Sequence, residues 1–173
     1  MAMGTQLRDD MDKGVFDRFK SLPIARTIYR PESLPGSARE YAADTVTLGW
    51  EERLRTRGRR MSDAGVMFGT TLARGTVLRD GDCFVLDPIS TVVTVVEMPE
   101  PVFVVVPRTP SEWALFAYHI GNSHQPLMVT DEAIICAELP GMREALEYHG
   151  IPFTSRVQPF TPVVDTAAHT HRP

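Results

Sequence analysis

The sequence has few of the features that mark secreted or membrane-spanning proteins. Its 173 residues include two cysteines, Cys83 and Cys136, which lie far apart and form no C-x-x-C motif. A disulfide framework or a zinc knuckle is therefore not expected. The longest apolar run, residues 102–106, is far shorter than the ~18 residues that a membrane span needs, and the first residues lack a secretory signal. We expect a cytoplasmic protein with no membrane partner.

The charge balance and the absence of nucleotide and hydrolase motifs limit the function further. The formal net charge is -4 and the pI is about 5.7, which argues against a protein that coats nucleic acid. There is no G-x-x-x-x-G-K-[ST], G-x-G-x-x-G, H-E-x-x-H or G-x-S-x-G motif, so we expect no enzyme. With 43% hydrophobic and 23% charged residues, the chain has the composition of a globular protein. The order of the elements described next predicts the α+β class.

The first half predicts a small β-rich domain. Residues 1–44 are interpreted as an N-terminal extension with one possible strand over residues 24–29. Residues 45–100 alternate short apolar runs with turn residues, and the Asp80-Gly81 pair is typical of a hairpin turn. The predicted strands of this domain cover residues 45–50, 53–59, 66–72, 83–87 and 91–97.

The second half predicts a different domain. A proline-bearing connector ends near residue 100, and the unbroken apolar run at 102–106 is expected of a strand covered on both faces. A helix follows over 111–120, with Ser111 as N-cap and Gly121 as the C′ residue. Strands at 127–130 and 134–138, a helix at 142–149 and a strand at 153–160 complete the order β-α-β-β-α-β. Residues 101–162 are thus predicted to form a ferredoxin-like domain, followed by a flexible tail over 163–173.

Histidine is the most informative residue type in the second half. Because Gly121 is predicted to end the helix, His124 falls in the loop that follows, where an imidazole can project outward as a ligand or serve a structural purpose. His119 is predicted to pack between helix and sheet, and His149 to sit at a helix end, where a partly positive ring favours the carbonyl end of the dipole.

The tail carries two more histidines, His169 and His171. Residues i and i+2 of an extended segment face the same side, so the two imidazoles could bind one metal ion. The alternative is a tail without a role, because H-x-H is an unspecific match.

Arginines are concentrated in the second predicted strand. On a strand over 53–59 they would share one face, and this face is either a solvated surface or a docking surface for an acidic protein. RNA is a weaker candidate, because no aromatic residues are interleaved. The arginines in question are Arg53, Arg55, Arg57 and Arg59.

Three segments give the chain a resemblance to a known family. These are Leu48-Gly-Trp-Glu-Glu-Arg53, residues 72–82 with Leu72-Ala-Arg-Gly75 and Leu78-Arg-Asp-Gly-Asp82, and Ala117-Tyr-His-Ile-Gly-Asn-Ser-His124. Together they resemble the UreE-type urease accessory proteins, and the last is similar to the family's Y-H-L-G-N-R-H segment. Ser123 stands where the family usually has arginine. The resemblance covers roughly residues 22–165.

The resemblance implies a nickel metallochaperone. His124 matches the family histidine that binds metal at a homodimer interface, and His169 and His171 are similar to its C-terminal histidines. The implied cargo is Ni(II), with Zn(II) or Cu(II) as ions that the same imidazoles could bind in vitro. The implied partners are a second copy of the chain, the urease accessory GTPase and the urease apoprotein complex, with no nucleic acid.

Two other functions remain open from the sequence. The β-rich domain could serve as a protein-interaction or assembly module for which metal binding is incidental. The chain could also deliver metal to a metalloenzyme other than urease.

Overall fold

A computed structural model describes residues 22–163 of the chain. Within this range the strands are β1 (Ile24–Ala25), β2 (Ala42–Leu48), β3 (Arg57–Met61), β4 (Met67–Thr71), β5 (Cys83–Leu86), β6 (Thr91–Glu97), β7 (Pro99–Val105), β8 (Leu127–Val129), β9 (Ile134–Ala137) and β10 (Thr154–Pro159). The helices of the same range are α1 (Trp50–Leu54), α2 (Pro110–Asn122) and α3 (Met142–Tyr148), with short 3₁₀ turns at Pro31–Ser33, Gly36–Glu40 and Asp87–Ile89. Within residues 22–163 no helix combines the length and the apolar character needed to cross a bilayer.

The N-terminal domain is built from two three-stranded sheets. One has the order β1-β4-β3 and the other β2-β6-β5, and each combines a parallel and an antiparallel pair. The buried sides of the strands form one core, in which the rings of Phe68 and Phe84 pack with centroids 5.5 Å apart. The prediction of a β-rich domain is confirmed.

The prediction that residues up to 44 form a separate extension is wrong for the part of that segment that the structure describes. β1 pairs with β4, Ala38 is buried, and Tyr29 packs with Cys83 in a small cluster. β2 begins at Ala42 and pairs along its whole length with β6. Residues 24–44 therefore belong to the β-rich domain.

Two local predictions in this domain are also wrong. Residues 53–59 do not form one strand, because 50–54 form α1 and the strand begins at Arg57. Glu51 and Glu52 lie in the first turn of α1, where carboxylates favour the positive end of the helix dipole. Asp80-Gly81 joins no hairpin, since the strands on either side of it belong to different sheets.

The C-terminal domain has the ferredoxin-like order predicted from the sequence. Its four strands are arranged β10-β7-β9-β8 and every neighbouring pair is antiparallel. α2 and α3 pack on one face, which buries Phe103 and Val105 of β7. The opposite face buries Val102 and Val104, so the unbroken apolar run is covered on both sides as expected.

A buried arginine joins the two domains. Arg53 of α1 is 1% exposed, and its Nη1 donates to Glu97 Oε1 at 2.8 Å and to Thr161 Oγ1 at 2.9 Å, while Nη2 donates to the Phe160 carbonyl. Beside it the ring of Trp50 packs edge-on against Phe160, with centroids 5.9 Å apart. These contacts fix α1 of the first domain against the end of the second.

Candidate functional site

The candidate metal ligand His124 lies just after the C-terminal end of α2. The helix begins with Thr109 as N-cap, whose hydroxyl accepts from the Glu112 N–H at 3.1 Å, and Pro110 occupies the first turn. The sequence placed the N-cap at Ser111, two residues too late. Proline in the first turn is favourable because no intrahelical N–H bond is lost there.

The end of α2 also differs from the sequence prediction. The helix continues through Gly121 to Asn122, and Ser123 is the C-cap, with its hydroxyl donating to the Ile120 carbonyl at 2.6 Å. His124 follows with its N–H bonded to the Gly121 carbonyl at 3.0 Å. His124 is therefore the C′ residue, directly after the C-cap. The sequence predicted Gly121 for this position.

His124 has an unusual backbone conformation for a non-glycine residue. Its φ is 55°, in the left-handed region, and the residue is exposed. This conformation is normally used by glycine or asparagine at helix ends and costs a side chain of this kind about 1 kcal/mol or more. The conformation directs the chain away from α2 towards β8 and leaves the residue at the surface, as predicted for a ligand in a loop.

The C-terminal segment returns to the same loop. The Val163 N–H donates to the Leu127 carbonyl at 2.7 Å, and Leu127 lies three residues after His124. Val163, the last described residue, therefore lies beside the start of β8, close in sequence to the loop that carries the candidate ligand.

His169 and His171 lie outside the described residues, so their role stays a prediction. Within residues 22–163 no cluster of three or more His, Cys, Asp or Glu side chains is arranged to hold a metal ion. A site at His124 thus needs ligands from the tail, from water or from a second copy of the chain.

The predicted arginine surface divides into buried and exposed parts. Arg53 is the interdomain anchor and does not belong to a surface. Arg55 follows α1 and is exposed, while Arg57 and Arg59 are exposed on one side of β3, an edge strand of its sheet. Partner binding by these exposed arginines stays a prediction.

A fifth arginine, Arg60, is structural. It lies on the buried side of β3 and donates to the Arg55 carbonyl at 2.7 Å and to the Glu52 carbonyl at 3.0 Å, which satisfies the C-terminal end of α1. Burial lowers the pKa of this guanidinium from its ordinary value, with the charge of Glu52 opposing the shift.

The structure brings together two histidines that the sequence analysis treated separately. The imidazoles of His119 in α2 and His149 at the end of α3 are stacked, with centroids 3.9 Å apart and ring planes 23° from parallel. His119 is half-buried rather than enclosed between helix and sheet. Their spacing of 30 residues gives no local signal, and only the order of the ferredoxin-like elements could have suggested that the two helices meet.

A groove of about 610 Å³ runs between the domains along β8. Its polar side chains include Arg79, Glu97 and Thr161, and no histidine of residues 22–163 lines it. The groove therefore does not contain His124.

Comparison with known proteins identifies the family of the whole described fold. A model of the UreE urease accessory protein N-terminal domain matches residues 25–97, and a model of the C-terminal domain of the same family matches residues 100–173. The chain belongs to the UreE urease accessory protein family. The boundary between the two matches falls between β6 and β7.

Curated relatives of this UreE family member agree with that assignment. The urease accessory protein UreE of Nostoc sp. is 32% identical over 127 residues, which is 73% of this chain and 86% of the relative. The protein of the same name from Thermosynechococcus vestitus is 34% identical over 117 residues, covering 68% of this chain and 81% of the relative. That of Burkholderia vietnamiensis is 32% identical over 75% of this chain and 64% of its own length. These names describe accessory proteins rather than enzymes.

Proposed function

We propose that this protein is a metallochaperone of urease maturation, which binds Ni(II) at a homodimer interface and delivers it to the urease metallocentre. Membership of the UreE family supports urease maturation as its task. The observation that carries the metal-binding part is His124, an exposed imidazole held by a left-handed backbone at the end of α2. The proposed compartment is the cytoplasm.

A two-fold axis would solve the problem of the lone ligand. One imidazole is a poor site for a transition metal ion, whereas a symmetric dimer places two copies of the same histidine at one point. Such a shared, exposed site both binds and releases its ion. A delivery protein needs that lability, and it would not have it with a closed thiolate cage.

The tail histidines are within reach of the same site. His169 lies six positions after Val163, and an extended segment of that length spans about 20 Å. Because Val163 is bonded to Leu127, three residues after His124, the tail can add nitrogen ligands from His169 or His171. We expect these ligands to be secondary, since ordering a chain segment costs entropy.

Calorimetric titration with Ni²⁺ tests this assignment. His124→Ala should weaken the tightest binding at least ~10-fold, because both copies of the anchored imidazole are lost from the shared site. His169→Ala with His171→Ala should weaken it less. The titrations belong at about pH 7.5, above the pKa of about 6.5 of a free imidazole.

Native mass spectrometry with and without Ni²⁺ provides the companion measurement. We expect a dimer with one ion at the shared site. A strictly monomeric mass with metal present, or unchanged affinity in His124→Ala with an intact circular dichroism spectrum, would contradict the proposal. Either result would favour the alternative of an interaction module for which metal is incidental.

The proposed protein partners are the urease accessory GTPase and the urease apoprotein complex, docked in part through Arg57 and Arg59. Both side chains are exposed on the edge strand β3, where a basic pair can steer an acidic partner surface. The chain as a whole is acidic, so the pair has no support as a nucleic-acid site.

Reversal of the two charges tests this docking surface. Arg57→Glu with Arg59→Glu should weaken binding to the partner complex and reduce the salt dependence of that binding. The matched control is Arg39→Glu with Arg156→Glu, which changes the net charge equally at exposed positions elsewhere. If both double variants bound the partner complex equally well, this would contradict the assignment of the docking surface to β3.

A further inference from the structure

We propose that His119 and His149 form a second site for a divalent transition metal ion, separate from the one proposed at His124. Their imidazole rings face each other with centroids 3.9 Å apart and an interplanar angle of 23°. They come from two different helices of the C-terminal domain, and neither is among the residues that the family resemblance marks as ligands.

Each ring is held by a defined element. His119 lies in the last turn of α2, and His149 is the C-cap of α3, with its N–H bonded to the Ala145 carbonyl at 3.1 Å. Tyr118 packs edge-on against His119 with centroids 5.3 Å apart, and Tyr148 packs similarly against His149 at 5.0 Å. Helix-borne ligands with packed neighbours are positioned more precisely than ligands on loops.

The spacing of the rings is close to what a shared ion needs. With metal–nitrogen bonds of about 2.0–2.1 Å, two imidazole nitrogens on one ion lie about 3.0–3.4 Å apart. Two imidazoles bound to one ion in this way have ring centroids about 4.5–5 Å apart. The stacked rings, with centroids 3.9 Å apart, therefore need to separate by about 1 Å, and the broad χ2 preference of histidine lets them rotate so that one nitrogen of each ring turns towards the ion. The carbonyl end of each helix dipole also attracts positive charge, which favours a bound cation over metal-free imidazoles.

The remaining coordination positions are left to water. In the part of the chain that the structure describes, no third His, Cys, Asp or Glu joins a ligand cluster. An open two-imidazole site suits Cu(II), Ni(II) or Zn(II) and binds Cu(II) most strongly among them. Because the ion keeps several exchangeable waters, we expect rapid loading and release.

Aromatic stacking without metal is the competing explanation for the same geometry. Because the chain has few histidines, an experiment can distinguish metal binding by this pair from stacking alone. The chain has five histidines in all, so replacing His124, His169 and His171 by alanine leaves this pair as its only imidazoles. Both cysteines are buried, and burial raises the pKa of Cys136 to about 12, so that thiol does not compete for the ion.

The experiment is a Cu²⁺ titration of that full-length triple variant at about pH 7.5, above the pKa of about 6.5 of a free imidazole. We expect one Cu²⁺ per chain with nitrogen hyperfine structure in the electron paramagnetic resonance spectrum. Adding His149→Phe or His119→Phe keeps an aromatic ring in the stack but removes the nitrogen, and should weaken binding at least ~10-fold. The variant with both phenylalanines reports Cu²⁺ bound elsewhere, for example by the N-terminal amine.

The proposal is overturned if the triple variant binds Cu²⁺ no better than the variant with both phenylalanines, or if either single phenylalanine leaves its affinity unchanged. Circular dichroism and thermal unfolding confirm that each variant is folded. Because His124 is absent throughout, the result does not depend on the shared dimer site, and loss of one site leaves the other to be measured on its own.

Discussion

The backbone conformation of His124 is one that disfavours any residue with a Cβ atom. At φ 55° it takes the left-handed conformation that ends a helix, and glycine would adopt this conformation without the Cβ penalty. Backbone strain held at one exposed residue is typical of functional sites, where the side chain is retained despite its cost in stability. The strain and the proposed metal ligand thus lie at the same residue.

This conflict predicts that His124→Gly stabilises the metal-free protein. Relief of the left-handed strain outweighs the extra entropy that glycine brings to the unfolded chain, so the free energy of unfolding should rise by about 0.5–1 kcal/mol while Ni²⁺ affinity falls. Urea unfolding without metal measures the change. Ser123→Gly is the control, because Ser123 has φ -78° and donates a hydrogen bond that glycine cannot replace. A stability gain in Ser123→Gly, or a loss in His124→Gly, would contradict this account.

The sequence predicted that His124 lies at the surface, but not the helix end and backbone conformation that place it there. A glycine near the end of an apolar-periodic segment indicates a helix end, and Gly121 was assigned that position. The helix continues past it because Ser123 and His124 supply the C-terminal hydrogen bonds instead. The contact between His119 and His149 was missed, since it depends on how two helices pack and not on any local pattern.

At the scale of elements, the turn between β3 and β4 ties the two N-terminal sheets together. Asp63 in this turn accepts from the hydroxyls of Thr45 at 2.6 Å and Thr47 at 2.9 Å, and from the Thr47 N–H at 3.1 Å. Both threonines belong to β2 in the other sheet. The hydrogen bond from Thr45, followed by that from the Thr47 backbone, lowers the pKa of the Asp63 carboxyl.

The lowered pKa predicts how this connection responds to acid. Because the folded-state pKa lies below the ordinary value of 3.8, the carboxylate stabilises the fold above that pH and the contribution is lost as pH falls through the folded value. Asp63→Asn should therefore lower the urea midpoint at neutral pH and lessen the further loss below about pH 4. Asp131→Asn, in the exposed loop after β8, is the control. Equal midpoints for the two variants at neutral pH would show that the turn contributes nothing through this carboxylate.

Strands were predicted correctly where a short apolar run is itself buried, and wrongly where burial depends on partners far away in the sequence. β6 runs over Thr91–Glu97 as predicted, because Val92, Val93 and Val95 are buried within a short, clearly bounded apolar run. Residues 53–59 alternate arginine with other residues and imitate a strand with one charged face. Arg53 is instead buried by Glu97 and by Phe160, partners 44 and 107 residues away, which no periodicity can reveal.

At the scale of the whole molecule, a buried ion pair inside the N-terminal domain holds Arg53 in place for its contacts to Phe160 and Thr161 of the C-terminal domain. Arg53 and Glu97 meet at 2.8 Å with side-chain exposures of 1% and 15%, and Thr161 bonds to both. The Arg53 Nε is buried without a hydrogen-bond partner in the described part of the chain. Charges buried in this way contribute little net stability as a pair, but removal of one partner leaves the other uncompensated.

The ion pair predicts that Arg53→Met both destabilises the protein and uncouples its domains. Loss of the guanidinium leaves Glu97 without its partner, so we expect the free energy of unfolding to fall by about 3 kcal/mol or more. Arg53→Met with Glu97→Gln should be less destabilised than the sum of the single changes, which a double-mutant cycle measures. The control is Arg55→Met, at an exposed neighbouring position, where the change should stay within about 0.5 kcal/mol.

Urea unfolding followed by far-ultraviolet circular dichroism and by tryptophan fluorescence shows whether the domains still unfold together. One tryptophan, Trp50, lies at the domain joint, and the other, Trp113, is partly buried against the core of the C-terminal domain. Coincident transitions are expected for the unchanged protein and separated ones for Arg53→Met, because domains without their anchor unfold independently. Coincident transitions and a small loss of stability in Arg53→Met would show that other contacts, such as Trp50 against Phe160, hold the domains together instead.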